Sequence, residues 1–135
     1  MKASHARPRT ILTTSGATNL VLIGDIEFAV SRTMGIPIRH IRGRKKEARI
    51  AMARQTAMYL AYELMNDSYP AIGRMMNRDH STIIHGHAAI EKRMKEDAGF
   101  RRLVHRISRV VTDESEGELA LELAWERRIN YSAEA

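Results

Sequence analysis

Several features that define other protein classes are missing from this chain, and each absence narrows its classification. The 135 residues include no cysteine, so neither a disulfide framework nor a thiolate metal site can form. No apolar run approaches the ~18 residues that a membrane span requires. No Gly-rich GxxxxGK[ST] loop occurs, which excludes the common phosphate-binding loop of ATPases. This length leaves room for one domain with a sizeable core.

Charge is the most informative part of the composition. Lys and Arg number 22 against 16 Asp and Glu, which gives a formal net charge of +6. This balance favours a polyanionic partner, although the placement of the cations matters more than their sum. The densest cluster is Arg-Gly-Arg-Lys-Lys at positions 42–46. A like-charged run of this size is usually a solvated surface, so alone it does not identify DNA as the partner.

The stretch 68–94 indicates two short helices joined by a tight turn. We predict the first helix at 69–76, where a proline in the first turn costs no hydrogen bond. Asp79 suits the N-cap of the second helix, which places His80, Ser81 and Thr82 in its first turn, pointing outward. The apolar face of that helix is predicted from Ile83, Ile84, Ala88, Ile90 and Met94.

Two interpretations of this polar cluster stay open on the residues alone. A helix-turn-helix presents the first residues of its second helix to the major groove, where imidazole and hydroxyl groups hydrogen-bond base edges. The other interpretation is a capped helix with small polar residues, because capping preferences already explain Asp79 and Ser81.

The run Met-Asn-Arg-Asp-His-Ser-Thr-Ile-Ile-His at 76–85, with Ile-Gly at 72–73, resembles the signature of the DNA-binding domain of DnaA, the bacterial replication initiator. Ala-Arg-Gln-Thr-Ala-Met at 53–58, Glu-Leu at 63–64 and Ser-Tyr-Pro-Ala at 68–71 continue the resemblance, which covers roughly residues 23–107. It implies an all-α fold, a helix-turn-helix bundle of about five to six helices similar to the Trp repressor, with an extra C-terminal helix. The family's ATPase has no counterpart here, so we expect no nucleotide, no other cofactor and no enzymatic activity.

The resemblance also implies roles for individual residues. Base contacts are implied for Lys46, Pro70, Asp79, His80, Ser81 and Thr82. Contacts to the DNA backbone are implied for Arg44, Lys45, Arg54, Gln55, Ser68, Tyr69, Arg78 and His85. Lys46 matches an arginine that better-known members insert into the minor groove, which lysine fits less well. In further departures, Tyr62 replaces a basic residue, Gly86 a small one such as Ala or Ser, and Ala89 a charged one.

Helical spacing predicts four more helices around this motif. The first runs from an N-cap at Asp25 to Met34 and stops at Gly35, and a short helical turn over 36–41 ends at Gly43. A long helix over 47–65 should bury one stripe, leave Arg54 and Gln55 off it, and use its methionines as core filler. That stripe is Ile50, Ala53, Ala57, Leu60, Ala61 and Leu64. The last helix starts after Asp97 and buries Phe100, Leu103, Val104, Ile107, Val110 and Val111.

The predicted organisation is a flexible basic arm over 1–19, the DNA-binding domain over 20–112, and an acidic linker with a C-terminal helix over 113–135. In this arm, His5, Arg7 and Arg9 either contact DNA phosphates or belong to a solvated tail. The N-terminal 24 residues are basic and contain no acidic residue before Asp25, so they superficially resemble a transit peptide. Three roles stay open for the predicted C-terminal helix at 118–128, Glu-Leu-Ala-Leu-Glu-Leu-Ala-Trp-Glu-Arg-Arg. It either docks on its own domain, binds another protein, or covers the basic surface with its acidic residues.

Neither a metal site nor a catalytic arrangement is predicted. His80, His85 and His87 are spaced by five and two residues, whereas two ligands on one helical face require a spacing of about four. Asp79, His80 and Ser81 are neighbours at a helix start, where capping and groove contacts account for them.

Our leading hypothesis is sequence-specific binding of double-stranded DNA at DnaA-box-like sites, which modulates replication initiation or transcription. The resemblance places such a protein at the nucleoid, in the cytoplasm of a bacterium or under phage control, without a membrane partner. The rival hypothesis is an adaptor that binds the initiator or its regulators through the C-terminal helix, with DNA contact secondary.

Overall fold

The computed structural model describes residues 10–12 and 18–112. Two short strands, β1 (Thr10–Leu12) and β2 (Thr18–Leu20), pair in antiparallel register. Six helices follow: α1 (Ile23–Met34), α2 (Ile38–Arg42), α3 (Ala48–Leu64), α4 (Tyr69–Met76), α5 (His80–Glu96) and α6 (Ala98–Thr112). The predicted all-α helix-turn-helix bundle is confirmed over this part of the chain. The predicted C-terminal helix lies outside the described residues.

The two strands fall mostly in the predicted flexible arm. Thr10 pairs with Leu20 and Leu12 with Thr18. The β-branched residues of the Thr-Ile-Leu run favour this strand pairing. The flexibility of the rest of the arm stays a prediction.

Helix α1 begins earlier than the sequence indicated. Its N-cap is Leu22, and Asp25 lies inside the first turn, where its carboxylate accepts a hydrogen bond from the Leu22 backbone N–H at 3.3 Å. The predicted stop is confirmed, because Gly35 has φ of 71° and its N–H donates to the Ser31 carbonyl at 2.9 Å. A left-handed backbone at this position favours glycine.

Helix α3 lies at the centre of the bundle, packed against α1, α2, α4 and α5. The predicted stripe is buried, apart from the half-buried Leu64. Burial extends further around the helix than predicted and includes Met58, Tyr62 and Arg54, which is only 8% exposed. The expectation that Arg54 lies off the buried stripe is therefore wrong, since four surrounding helices cover more than one face.

The buried face of α5 also differs from the prediction. Ile84 and Ala88 are exposed, and the buried residues are Ile83, Gly86, His87, Ile90 and Met94. Their spacing of three, four, seven and eleven residues from the first describes a single helical face. A Cβ placed on Gly86 would lie 2.5 Å from Met58 Sδ, so the glycine allows α5 to approach α3 closely. This packing explains why glycine is tolerated inside the helix.

The tight turn between α4 and α5 is confirmed. Asn77 ends α4 with φ of 54°, and the Arg78 backbone N–H donates to the Gly73 carbonyl at 2.8 Å. A Cβ placed on Gly73 would lie 2.6 Å from the Arg78 carbonyl oxygen. Since that oxygen belongs to the backbone of the turn, Gly73 sets how closely the two helices approach.

We expect Gly73→Ala to lower the free energy of unfolding by about 1–3 kcal/mol, because the turn must move to admit the methyl group. The matched control is Gly24→Ala in α1, where an added Cβ meets nothing within 4 Å. That variant should leave the free energy unchanged or raise it by up to about 1 kcal/mol. Urea unfolding measures both, and equal effects of the two substitutions would contradict the role given to Gly73.

Candidate nucleic-acid interface

The first turn of α5 presents its polar side chains to solvent. Asp79 caps the helix, accepting from the Ser81 backbone N–H at 3.0 Å and also from the Ser81 hydroxyl. His80, Ser81 and Thr82 are all exposed, and the His80 side chain is 56% exposed. The capping role of Asp79 and the outward placement of the cluster agree with the sequence-based predictions.

The cap also fixes the hydrogen-bonding character of this surface. The hydroxyl and backbone N–H of Ser81 hold the pKa of Asp79 below its ordinary value, with a smaller contribution from the charge of His80. Asp79 is therefore an anion at neutral pH and offers acceptors only. Because the Ser81 hydroxyl hydrogen is used in the cap, the Ser81 oxygen is left to act as an acceptor as well.

One buried guanidinium holds the connection between α2 and α3, and we refer to residues 43–47 of this connection as the basic loop. Arg54 of α3 donates from Nη2 to the His40 carbonyl at 2.7 Å, from Nε to that of Ile41 at 3.0 Å and from Nη1 to that of Lys45 at 2.9 Å. Carbonyls at the end of α2 and within the basic loop are thus bound by a single side chain. The donors on three guanidinium nitrogens are directed into the protein.

The basic loop is also tied to the turn that precedes α5. The Arg78 guanidinium donates to the Gly43 carbonyl, and Arg44 Nη2 donates to the Asn77 carbonyl at 3.3 Å. These two hydrogen bonds run in opposite directions between the same two segments. The basic loop and the first turn of α5 are consequently held side by side.

An ion pair fixes the start of the basic loop. Arg42 donates from Nε at 2.8 Å and from Nη2 at 2.6 Å to Oε1 of Glu27, which is only 1% exposed. Arg42 thus anchors α2 to α1. Three exposed cations of the basic cluster remain: Arg44, Lys45 and Lys46.

Three arginines lie close enough in this region to repel one another. Burial lowers the pKa of Arg54, and the nearby charge of Arg44 lowers it further. The pKa of Arg78 is lowered by burial, then by Arg54 and Arg44. Among the residues that the structure describes, none of the three pairs with a carboxylate. These three arginines therefore concentrate positive charge that no described carboxylate pairs with directly.

The start of α4 supplies further members of the predicted site. The Ser68 hydroxyl oxygen accepts from the Ala71 backbone N–H at 3.2 Å, and Ser68 and Pro70 are exposed. Tyr69 is half-buried and stacks on Tyr62 with ring centroids 4.0 Å apart. Tyr62 is only 4% exposed, so in place of a basic residue it packs the start of α4 onto α3.

The two remaining histidines of α5 diverge. His87 is buried, its Nε2 lies 2.8 Å from Glu63 Oε2, and its ring stacks on Tyr59. His85 is exposed. Within residues 10–12 and 18–112, no group of three or more histidine or acidic residues could hold a metal ion. None of the helices in that part of the chain has the length and apolar character to cross a membrane.

Two features of the surface were not anticipated. Ile84 is 39% exposed and lies one turn after His80 on the same side of α5, which adds an apolar group beside the polar cluster. The buried spacing of Ile83, Gly86, Ile90 and Met94 is the signal that would have placed Ile84 outside. The other feature is the partial burial of Gln55, which was predicted to lie off the buried stripe and is half-buried beside Gly86.

We expect Arg54→Met to lower the free energy of unfolding by about 2–3 kcal/mol, because carbonyls of the α2–α3 connection lose their donors while the apolar stem is kept. Amide hydrogen exchange over the basic loop should accelerate as well. The control is Arg49→Met on the same helix, whose side chain is exposed. It should change the free energy by no more than about 0.5 kcal/mol. Equal effects at the two positions would contradict the clamp role.

Comparison with known proteins identifies the family. The family model described as the bacterial DnaA protein helix-turn-helix matches residues 23–90, from the start of α1 into α5 and so including α4 and the first turn of α5. The chromosomal replication initiator protein DnaA of Enterococcus faecalis is 32% identical over 97 residues. That alignment covers 71% of this chain and 22% of the relative, so the chain corresponds to a small part of the initiator's length. The chain belongs to the family of bacterial DnaA helix-turn-helix domains.

Proposed function

We propose that this protein binds double-stranded DNA sequence-specifically at DnaA-box-like sites and thereby modulates replication initiation or transcription. The observation that carries the proposal is the pair of hydrogen bonds between the basic loop and the α4–α5 turn. They hold exposed cations beside the exposed first turn of α5. A helix-turn-helix needs this combination, because phosphate contacts fix its register while the helix start contacts the bases.

The base-reading roles follow from the donors and acceptors on the first turn of α5. Asp79 and the Ser81 oxygen are acceptors, so they suit the amino groups that cytosine and adenine present in the major groove. His80 and Thr82 add groups that either donate or accept. The methyl groups of Thr82 and the exposed Ile84 suit the thymine methyl. Pro70, at the start of α4, is a further candidate for contact with a base.

The backbone roles divide into direct and indirect ones. Arg44, Lys45 and Lys46 are exposed and are the direct candidates, with Lys46 directed to the adjacent minor groove. Ser68, Tyr69, Gln55 and His85, which lie on α3, α4 and α5 or at their ends, are the further candidates for contact with the DNA backbone. Arg54 and Arg78 use donors on loop carbonyls, so we assign them the positioning of the basic loop and a share of its positive potential.

Electrostatic repulsion supports an anionic partner on this face. Burial is the main cause of the lowered pKa of Arg54 and Arg78, and the charges of neighbouring arginines lower both further. Phosphate groups placed against the basic loop would offset this repulsion. Part of the binding free energy would then come from relief of a cost that the free protein carries.

We expect His80→Ala to weaken binding to a duplex carrying a DnaA box by about 1–3 kcal/mol, with no change for a scrambled duplex, because a base contact is lost. Fluorescence anisotropy at physiological salt measures both affinities. His85→Ala is the matched control, since an exposed histidine of the same helix predicted at a phosphate should weaken both duplexes alike. Wild-type affinities that are equal for box and scrambled duplexes would overturn the sequence-specific proposal.

We expect Lys45→Ala to weaken both duplexes by the same factor, because a phosphate contact carries no sequence information. The slope of log Kobs against log salt should fall by about 0.9. Lys92→Ala, an exposed lysine twelve positions after His80 on α5, should change neither quantity. A loss confined to the box duplex would assign Lys45 to base reading instead.

A further inference from the structure

Helix α6 carries a second concentration of cations, which the proposed function does not use. Its sequence contains four arginines, one histidine and no acidic residue. Arg102, Arg106 and Arg109 recur at spacings of four and three residues, so they lie on one side of the helix. We refer to these three residues with His105 as the arginine face.

The arginine face borders an open cavity of about 590 Å³, lined by Gly99, Arg102, Leu103, His105, Arg106 and Arg109. The opposite side of α6 is fixed, because Phe100, Val104 and Ile107 are buried against the core. The cations are therefore presented on a rigid element. Their separation along the helix axis is set by its rise of about 1.5 Å per residue.

These cations have no intramolecular task among the described residues, unlike their neighbours. Arg101 donates to the Met94 carbonyl at 2.9 Å, and the Arg93 guanidinium lies 4.8 Å from the centre of the Phe100 ring. Arg102, Arg106 and Arg109 form neither a hydrogen bond nor an ion pair with another described side chain or carbonyl. Like charges four residues apart on a helix are destabilising, so the face costs stability unless an external anion binds it.

The arginine face is separate from the candidate interface. Helix α6 packs against α1 and α5, and only α6 residues line the cavity. None of the residues that line this cavity belongs to the candidate interface at the basic loop and the first turn of α5.

The chemistry of the face points to phosphate. All four full cations of α6 are arginines, whose planar guanidinium groups match phosphate with two hydrogen bonds each. A row of three suits a polymer with regularly spaced phosphates better than a single small anion. A lipid surface fits less well, because an interfacial helix needs an apolar side to insert and that side of α6 is buried.

We infer that the arginine face of α6 binds the phosphate backbone of a second DNA duplex, so that one molecule joins two DNA segments. The first segment occupies the start of α5, and this part of the inference rests on the proposed function. The second is bound without sequence preference, because contacts from arginines to phosphates carry no sequence information.

The test uses the full chain and two duplexes. Beads coated with a box duplex are loaded with protein, washed, and incubated with a fluorescent duplex of random sequence. Wild-type protein should retain the second duplex. The triple variant Arg102→Gln/Arg106→Gln/Arg109→Gln should load onto the beads as well as wild type but retain at least about fivefold less of the second duplex. Retention by wild type should fall as the salt concentration rises. Lys92→Gln/Lys95→Gln, which removes two exposed charges of α5 outside the cavity, should behave as wild type.

Three outcomes would overturn the inference. The first is equal retention by the triple variant and the wild type. The second is that wild type does not retain the second duplex, whereas a variant with Glu114, Glu116 and Glu118 changed to Gln does. That result would show that the acidic segment after α6 binds the arginine face. The third is no retention together with triple-variant-sensitive binding to phosphatidylserine vesicles, which would assign it to lipid.

Failure of the proposed function gives a different result. In that case box-coated and scrambled beads load the protein equally. The triple variant is then compared with wild type on beads coated with the scrambled duplex. The slope of log Kobs against log salt should be smaller for the triple variant by about 0.9 for each lost phosphate contact. An unchanged slope would overturn the arginine face independently of any box.

Discussion

The candidate interface depends on one type of interaction, the hydrogen bond from an arginine guanidinium to a backbone carbonyl of the α2–α3 connection. A connection that leaves a helix has carbonyl groups without helical partners, and these must be satisfied by other donors. Arg54 satisfies carbonyls at the end of α2 and inside the basic loop, and Arg78 satisfies that of Gly43. Because Arg54 belongs to the central helix and Arg78 to the α4–α5 turn, satisfying the loop also fixes its position relative to α5.

This arrangement has an electrostatic consequence. Donors that carry a charge form stronger hydrogen bonds than neutral ones, but they also bring like charges together. Burial lowers the pKa of Arg54 and Arg78, and repulsion from neighbouring arginines lowers both further, so the order of the loop has an electrostatic cost. The same groups raise the positive potential over the face where an anion would bind. Order in the free protein and attraction for a polyanion thus come from the same side chains.

Local chemistry made part of this structure predictable. The bounds of α4, the capping role of Asp79 and the stop at Gly35 follow from residues adjacent in sequence, and the exposure of His80 follows from the cap. The role of Arg54 was not predictable, because its partners lie 9–14 residues away and become neighbours only in the folded protein. The burial of Gly86 depends likewise on the approach of α3.

The two basic surfaces differ because of the backbone beneath them. In the basic loop, carbonyls bind the guanidinium donors of Arg54 and Arg78, so the exposed Lys45 and Lys46 and the other donors of Arg44 remain for an external partner. On α6 the carbonyls are already satisfied by the helix, so Arg102 and its neighbours on the arginine face find no acceptor in the protein. Arg54 and Arg78 therefore contribute mainly to order, whereas Arg102, Arg106 and Arg109 keep their donors for an external anion. The number of positive charges is therefore not what distinguishes the basic loop from the arginine face. The difference is whether backbone carbonyls near the cations are free to accept hydrogen bonds.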